Sequence, residues 1–319
     1  MTLKKNTSMK ILLTSTSFQD TPGKHQDLLA SSGLDVDTIR GPVDKNFLLP
    51  IISNYDGVIC GDDEYDYEVL KKGKFGKLKV LSKYGIGLDK IDTKSANRLG
   101  IIVTNCPGVN HVAVAEHVFG LMLSFFKNIP RELEITKKNK WIRYIGNELY
   151  GKKIGVAGLG RIGKEILIRA KSFGLETFAY DKYIDKKFVK DYDIKTIEDE
   201  RELFSTVDIL SLNMNLTSDN KNFVNKKKIE NFAKKGLLII NTARGELVNE
   251  EAIIFGIKNN LISGYLTDVL VEEPIRENHP FLKYDNIYIT PHIASRNYET
   301  VVRQGVKAID NLLKNLKIV

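Results

Sequence analysis

Short apolar runs recur along the chain, separated by stretches in which apolar residues return with helical spacing. In residues 1–109 these runs lie at 11–13, 58–60, 80–81 and 101–103. Strands that alternate with helices are typical of a parallel sheet covered by helices on both faces. This part of the chain is therefore predicted to form an α/β domain with a doubly wound sheet.

A second series of apolar runs begins at residue 154. Each run is bounded by turn or polar residues, and the six lie at 154–157, 177–180, 209–212, 237–240, 265–267 and 287–289. Six parallel strands are the usual arrangement of a dinucleotide-binding domain. The second series is therefore predicted to form a separate domain of that kind.

Two longer segments have a helical period of apolar residues. The first, 112–127, joins the two series, and the second, 300–316, follows the last run. Because no strand follows the second segment, we expect its helix to return and pack on the first domain.

Composition agrees with a two-domain enzyme and excludes several other classes. A chain of 319 residues exceeds what one hydrophobic core usually covers. Its 42% hydrophobic and 28% charged residues are ordinary for a globular enzyme. The net charge of +8 favours anionic ligands, but the lysines are scattered and no nucleic-acid-binding signature occurs. Nucleic acid is therefore not an expected partner.

The cysteines and the apolar segments bear on cofactor and location. Neither Cys60 nor Cys106 has a second cysteine at metal-ligand spacing, and two cysteines cannot form a disulfide framework. Residues 1–8 are basic, but no apolar segment of signal-peptide length follows them. The most apolar stretch, 118–126, is too short to span a bilayer. We predict a cytoplasmic protein with no metal and no membrane partner.

A glycine motif stands between the first strand and the first helix of the second series. Gly158, Gly160 and Gly163 fit the pattern G-x-G-x-x-G directly after a β-type run and directly before a helical one. Gly158 permits the tight turn, Gly160 leaves room for a pyrophosphate, and Gly163 lets the helix approach the strand. The amides of the helix N-terminus then face the phosphate charge. The motif predicts dinucleotide binding.

An acidic residue at the end of the next strand indicates which dinucleotide binds. Asp181 follows Gly163 by 18 residues, where a carboxylate can accept hydrogen bonds from the adenosine ribose. The same carboxylate would repel a 2′-phosphate, so NAD is favoured over NADP. Lys182 is adjacent and could soften that preference.

Polar residues follow the later strands of the second series. Asn213 follows the third strand and Thr242 and Arg244 the fourth, while Asp268 and Glu273 follow the fifth. His292 follows the sixth. Ligands of open α/β sheets bind beyond the carboxyl ends of the strands, so these side chains are expected at one edge, beside the nicotinamide.

The arginine, the carboxylate and the histidine suit the reduction of a 2-keto acid. The cofactor carries the hydride, so the protein has to orient the substrate and handle one proton. Arg244 can bind a carboxylate or polarise a carbonyl through paired donors. His292 can exchange the proton near neutral pH, and Glu273 can orient the ring and favour its charged form.

The sequence resembles the D-isomer-specific 2-hydroxyacid dehydrogenases, from about Lys79 to Tyr298. The resemblance rests on segments in a fixed order: KYGIGLDKID at 83–92, NCPGVN at 105–110, VAEH at 114–117, GLGRIG at 158–163, NTARG at 241–245, DVLVEEP at 268–274 and PHIAS at 291–295. Such an ordered set is far more specific than any one motif.

The resemblance implies a Rossmann domain over 110–295 inserted into a flavodoxin-like substrate-binding domain over 1–109, which 296–319 completes. It places the catalytic roles on Arg244, Glu273 and His292 and implies a homodimer formed through the dinucleotide domain. The implied substrate contacts are Tyr84, Ile86, Gly87, Asn110 and Arg244, the first three through a loop whose amides hold the substrate carboxylate. The implied NAD contacts are Gly158, Gly160, Arg161, Ile162, Gly163, Asp181, Asn213, Thr217, Thr242, Asp268 and Ser295, with Asp268 facing the nicotinamide carboxamide.

The chain departs from the family pattern in two places. Asn213 to Thr217 read NMNLT where the family often has His-x-Pro-Leu-Thr, and Lys90 stands where asparagine is usual. We expect both changes to affect cofactor and substrate affinity more than the chemistry. Since the chain ends at Val319, no C-terminal regulatory domain is expected.

The identity of the acid stays open. The cationic balance and Lys83 favour a phosphorylated acid, with D-3-phosphoglycerate as the first candidate. One alternative is an NADP-linked glyoxylate or hydroxypyruvate reductase, against which Asp181 argues. Another is a protein without enzymatic activity that senses NAD(H), like a corepressor; the chain shows no partner-binding tail of the kind such a protein would need.

Overall fold

The computed structural model describes residues 9–317. Residues 1–8, where no signal segment is predicted, and 318–319 lie outside the described residues. The chain divides into two compact units. Unit 1 comprises Met1–Asn110 and Arg296–Val319, and unit 2 comprises His111–Ser295, so unit 2 is an insertion in the sequence of unit 1.

Unit 1 is built on a parallel sheet that, within the described residues, has five strands in the order β2-β1-β3-β4-β5. Its strands and helices before the insertion are β1 (Lys10–Leu13), α1 (Thr16–Asp20), α2 (Lys24–Ala30), β2 (Asp35–Thr38), α3 (Lys45–Leu48), β3 (Gly57–Cys60), α4 (Tyr67–Phe75), β4 (Val80–Lys83), α5 (Thr93–Arg98) and β5 (Ile102–Thr104), with a 3₁₀ turn at Ile52–Asn54. The order 2-1-3-4-5 is that of flavodoxin-like sheets, as predicted.

The apolar pattern finds the buried strands of unit 1 and misses the polar one. The four residues of β3 are all buried, as are those of β4, because helices cover both faces of the sheet there. Strand β2 carries Asp35 and Asp37, and its side chains are half-buried or exposed, since it pairs with β1 at the edge of the sheet. A strand of this composition has no apolar run to detect.

Unit 2 is built on a second parallel sheet. Within the described residues it has seven strands in the order β12-β11-β10-β9-β6-β7-β8. The elements are α6 (His111–Phe126), α7 (Ile129–Lys137), β6 (Lys153–Ala157), α8 (Arg161–Ser172), β7 (Glu176–Tyr180), α9 (Lys186–Asp191), β8 (Lys195–Thr196), α10 (Glu200–Thr206), β9 (Ile209–Leu212), α11 (Lys226–Phe232), β10 (Leu237–Asn241), α12 (Glu250–Lys258), β11 (Ile262–Thr267) and β12 (Ile287–Ile289), with 3₁₀ turns at Gly245–Leu247 and Pro280–Lys283.

The prediction of six strands for this sheet is wrong by one. The additional strand β8 consists of two exposed residues, Lys195 and Thr196, paired with β7 at the edge of the sheet. Counted along the described part of unit 2, the strands run 3-2-1-4-5-6-7. This is the Rossmann order 3-2-1-4-5-6 with one further strand, so the predicted doubly wound fold is confirmed.

The last helix, α13 (Tyr298–Asn315), belongs to unit 1 and packs against α2 and β4. It begins after Asn297, whose side chain accepts a hydrogen bond from the backbone N–H of Thr300. This contact satisfies one amide of the first turn and is worth about 1 kcal/mol. Because Asn297 caps the helix, α13 begins at Tyr298, two residues before the predicted start at residue 300.

Among residues 9–317, no single helix has both the length and the apolar composition needed to cross a membrane. The pair α6 and α7 meets these criteria jointly, with a bend of 61° between the two helices. Much of α6 is buried inside unit 2, including Val118 and Met122.

Candidate active site

The glycine loop of unit 2 joins the end of β6 to the start of α8. Gly158 has φ +106°, and a Cβ there would lie 2.6 Å from the carbonyl carbon of Asn213. A Cβ on Gly163 would lie 2.1 Å from the carbonyl oxygen of Gly158, whereas one on Gly160 would meet nothing within 4 Å. Gly158 and Gly163 thus permit close packing inside the unit, and Gly160 leaves space above the first amides of α8.

Asp181 connects this loop to the end of β7. Its Oδ2 accepts a hydrogen bond of 2.6 Å from the backbone N–H of Leu159, and its Oδ1 one of 2.8 Å from that of Tyr183. Each carboxylate oxygen has a second lone pair, so the group can still accept from a ribose hydroxyl. Asp181 therefore holds the glycine loop in place.

Two polar atoms beside the glycine loop have no partner among the described residues. They are Asn213 Oδ1, beyond β9, and Thr242 Oγ1, beyond β10, and both are buried. Buried polar atoms normally have a hydrogen-bond partner. A bound molecule with donor groups at this edge of the sheet would supply one.

Of the remaining predicted cofactor residues, those outside the glycine loop make no hydrogen bond to it among the described residues. Arg161 is exposed, and Ile162 packs on the apolar core beneath α8. Thr217 lies in an exposed turn, where its N–H donates to Asn220 Oδ1, and Ser295 is half-buried. Over residues 9–317, no hydrogen bond joins Thr217 or Ser295 to the other predicted contacts.

Glu273 and His292 lie together beyond β11 and β12. His292 Nδ1 and Glu273 Oε2 are 2.8 Å apart, and the other carboxylate oxygen accepts from the backbone N–H of Leu270 at 2.9 Å. The carboxylate is therefore held by the backbone, and it in turn fixes the orientation of the imidazole. Both side chains are about two-fifths exposed, at 39% and 42%.

Arg244 follows β10 and is half-buried. Its Nη1 donates to the carbonyl of Ala243 at 2.6 Å, and its own carbonyl accepts from Asn241 Nδ2 at 2.8 Å. A Cβ on Gly245 would lie 2.1 Å from the carbonyl carbon of Leu270. The loop that carries Arg244 thus abuts the segment that holds Glu273.

The backbone at His292 has a left-handed conformation, with φ +55°. A residue other than glycine adopts this region at a cost of about 1–3 kcal/mol, and such residues cluster at functional sites. Asp268 holds the conformation. Its carbonyl accepts from the N–H of His292 at 3.0 Å, and its carboxylate accepts from those of Ile293 and Ala294 at 2.9 and 2.8 Å.

Two residues that no motif role predicts, Thr290 and His117, support Asp268. Thr290 Oγ1 donates to Asp268 Oδ1 at 2.6 Å and lies 2.9 Å from Nε2 of His117, on α6. Burial lowers the pKa of His117, and the charge of Asp268, 3.6 Å away, opposes that effect. His117 lies in the VAEH segment at 114–117, so the family pattern was the available signal.

The predicted carboxylate loop lies in unit 1, directly after β4. The carbonyl of Gly85 accepts from the N–H of Cys106 at 2.7 Å, and that of Ile86 from Asn105 Nδ2 at 2.8 Å. Across residues 9–317, no acceptor is found for the N–H groups of Ile86 and Gly87. The loop therefore presents two amides for which a carboxylate is a suitable partner.

Tyr84 and Asn110 are placed differently from each other. The N–H of Tyr84 donates to the carbonyl of Cys60 at 2.8 Å, and its side chain is 8% exposed. Tyr84 is thus placed as a support of the loop, with its amide already bonded. Asn110 Oδ1 is buried and, within the described residues, has no partner.

Residues 119–294 match the family model for the NAD-binding domain of D-isomer specific 2-hydroxyacid dehydrogenases. This match covers more than half of the chain. The chain belongs to this family. The predicted resemblance is thereby confirmed, and so is NAD as the cofactor of the domain. The glycine loop, Asp181 and two buried atoms without a partner among the described residues, Asn213 Oδ1 and Thr242 Oγ1, fit that cofactor.

Individual members of the family are similar over most of this chain. The D-3-phosphoglycerate dehydrogenase of Methanocaldococcus jannaschii is 36% identical over 86% of this chain and 52% of its own length. The glyoxylate reductase of Thermofilum pendens is 36% identical over 86% of this chain and 83% of its own length. The chain thus spans about half the length of the phosphoglycerate dehydrogenase relative and most of the glyoxylate reductase.

A solved structure supports the fold. The crystal structure of the TT0316 protein from Thermus thermophilus superposes with a TM-score of 0.87 at 31% identity, covering 97% of each chain. The chain therefore has the same two-domain α/β architecture as a protein whose structure was determined by crystallography.

Proposed function

We propose that this protein is an NAD-dependent dehydrogenase that interconverts a small D-2-hydroxy acid and its 2-keto acid. The observation that carries the proposal is the Glu273–His292 pair at 2.8 Å, beside the Arg244 loop at the carboxyl edge of the NAD-binding sheet. Ligands of such sheets bind at that edge.

The residues divide the chemistry between them. NAD supplies or accepts the hydride at C2 when it is bound. In the reducing direction His292 donates a proton to the keto oxygen, so that C=O becomes CH–OH. Because Nδ1 is engaged by Glu273, Nε2 is the ring nitrogen assigned to this transfer. The carboxylate of Glu273 stabilises the imidazolium form that acts as the acid.

Substrate orientation is assigned to Arg244 and to the loop after β4. The guanidinium provides paired donors for the substrate carboxylate and carbonyl. The N–H groups of Ile86 and Gly87 provide further donors for the carboxylate. Donors of this kind restrict the orientation of a substrate, and orientation can supply about 7–11 kcal/mol of the lowering of a barrier.

The test is the oxidation of NADH with a panel of 2-keto acids by single variants. His292→Ala and Arg244→Ala are expected to lose activity with every acid while still binding NADH, since a general acid alone contributes about 10²–10⁴-fold. His279→Ala is the matched control, because His279 forms a second histidine–glutamate pair of unit 2, at 3.2 Å from Glu250. Unchanged turnover in either site variant would refute the assignment.

The acid itself has two candidates from the relatives. D-3-phosphoglycerate follows the Methanocaldococcus protein, and glyoxylate follows the Thermofilum protein. On sequence alone, the net positive charge and Lys83 favour the first. Assays with phosphorylated and unphosphorylated acids, each with NADH and NADPH, decide between them.

We also propose a homodimer formed through unit 2. Large apolar side chains on α7 and in the loop after it are exposed: Leu133 by 57%, Trp141 by 83% and Ile145 by 96%. Clusters of large exposed apolar side chains are typical of interaction sites. Trp141→Ser with Ile145→Ser should give a monomer in sedimentation, whereas Phe75→Ser, at an exposed site of unit 1, should leave the wild-type mass unchanged. A wild-type chain that sediments as a monomer would refute the dimer.

A further inference from the structure

Lys83, the last residue of β4, is a buried lysine whose charge is already paired. Its side chain is 5% exposed, and Nζ lies 2.5 Å from Oδ1 of Asp62. Nζ also donates to the carbonyl of Gly61 at 2.5 Å. A buried ammonium needs such partners, because its transfer from water is otherwise very costly.

This pair lies beside the loop proposed to hold the substrate carboxylate. Strands β3 and β4 are parallel neighbours, so the segments that follow them, 61–64 and 84–87, share one edge of the unit 1 sheet. The N–H of Tyr84 donates to the carbonyl of Cys60 across the two strand ends. The edge is also next to the point at which the strand order of the sheet reverses, between β1 and β3.

The segment after β3 is acidic, and its backbone is held in place. Asp63 is fully buried and accepts from the hydroxyl of Thr14 and, at 3.0 Å, from the N–H of Val43. The same hydroxyl accepts from the N–H of Gly61 at 3.1 Å. Since both ends of this short turn are anchored, Asp62 cannot move far from Lys83.

Charge at this edge therefore does not favour a second anionic group on the substrate. The one cation that the sequence analysis assigns to a phosphate, Lys83, is matched by Asp62, and Asp63 adds a further carboxyl beside it. Burial raises the pKa of Asp63, and this effect adds no positive charge. A phosphate that bound Lys83, whose side chain is only 5% exposed, would have to displace the 65%-exposed carboxylate of Asp62 from it.

We propose that the Lys83–Asp62 pair sets the substrate class, so that the enzyme acts on 2-keto acids with no anionic group beyond the carboxylate. The inference rests on the proposed function, because it concerns the same substrate. It reverses the role that Lys83 has in the sequence analysis: the lysine neutralises Asp62 and completes the turn, and it is not a phosphate ligand. A negative charge on the protein next to a negative group on a ligand disfavours binding of that ligand, here an acid that carries a phosphate.

The experiment compares two acids that differ by one phosphate, hydroxypyruvate and 3-phosphohydroxypyruvate, with glyoxylate and pyruvate as further acids and NADH as the reductant. The wild-type kcat/KM should be higher for hydroxypyruvate by about 100-fold or more, the scale on which repulsion of like charges discriminates partners. Asp62→Asn frees Lys83 to face the phosphate. It should reduce this preference by about tenfold, the effect of removing one close like charge.

The matched control is Asp56→Asn. Asp56 pairs with Lys79 at 3.1 Å at the amino ends of the same two strands, so the variant removes an equivalent charge from the opposite edge of the sheet. Its preference for hydroxypyruvate should equal that of the wild type. Equal preferences in Asp62→Asn and Asp56→Asn would overturn the inference, because the effect would then be one of net charge.

The outcomes separate this inference from the proposed function. Reduction of the acids with 3-phosphohydroxypyruvate as the best substrate would overturn the inference and leave the dehydrogenase assignment standing. Reduction of unphosphorylated acids alone would support both. Failure to reduce any acid of the panel would overturn the proposed function, and the inference with it.

Discussion

Replacing Thr290 with valine would remove one hydroxyl from beneath His292, the proposed general acid, and leave the shape of the side chain almost unchanged. That hydroxyl donates to Asp268 at 2.6 Å and lies 2.9 Å from His117 Nε2. A hydrogen bond to a charged group contributes about 1.5–3 kcal/mol. Because Asp268 is 1% exposed, water has little access to replace the lost donor.

The expected loss of about 2–3 kcal/mol can be read as a melting temperature. Unit 2, residues 111–295, falls in the size class in which 1 kcal/mol corresponds to about 2–4 °C, so Thr290→Val should melt about 4–12 °C below the wild type. The variant should also lower kcat by about tenfold or more with every acid, because a small displacement of His292 is enough for that.

The assay combines thermal unfolding followed by circular dichroism with steady-state kinetics. Thr196→Val in the exposed strand β8 is the control, and as a surface substitution in the same unit it should stay within about 0.5 kcal/mol of the wild type. If Thr290→Val melts within about 1 °C of the wild type and keeps its kcat, the hydroxyl does not support Asp268, and the reasoning is wrong.

Other predictions follow from the same contacts. Gly163→Ala should lower the melting temperature, because its Cβ would lie 2.1 Å from a backbone oxygen, whereas Gly160→Ala should keep the melting temperature and weaken NADH binding measured by fluorescence titration. Asp181→Asn should raise kcat/KM for NADPH relative to NADH, since it removes the charge that repels a 2′-phosphate. Burial lowers the pKa of His117, so the unfolded chain binds that proton more readily, and unit 2 should lose stability as the pH falls through the unfolded value of 6.5. His117→Gln should abolish this part of the pH dependence of the melting temperature; an unchanged profile would contradict it.

Much of the fold could be predicted because its central strands are buried on both faces. β3, β4, β9 and β10 each form an apolar run, and such runs are visible without any knowledge of neighbours. The two strands that were missed, β2 and β8, are at sheet edges and carry exposed polar residues. Their strand character comes from pairing with a neighbour in the sheet, and no local pattern records that.

For the candidate site, the sequence predicts which residues are present, but it does not predict the contacts that hold their side chains in position. The rule that ligands bind at carboxyl ends of strands is enough to bring Glu273 and His292 to one edge. No such rule predicts the left-handed backbone of His292. The contact between Thr290 and His117 could not be predicted either, because the two residues are 173 positions apart in the sequence. Lys83 shows the opposite error, because a lysine in a motif looks available, whereas the structure buries it and pairs it with Asp62.

The two units contain different parts of the proposed activity, and their variants should therefore behave differently. His292 and its supports lie in unit 2 and act on the proton that every 2-keto acid requires, so Thr290→Val should lower kcat by the same factor for all acids. Asp62 and Lys83 lie in unit 1 and act on the group beyond C2, so Asp62→Asn should change the ratio of kcat/KM between acids with little change in the best kcat. A Thr290→Val variant that altered the ratio between acids, or an Asp62→Asn variant that slowed all of them equally, would show that chemistry and specificity are not divided between the two units.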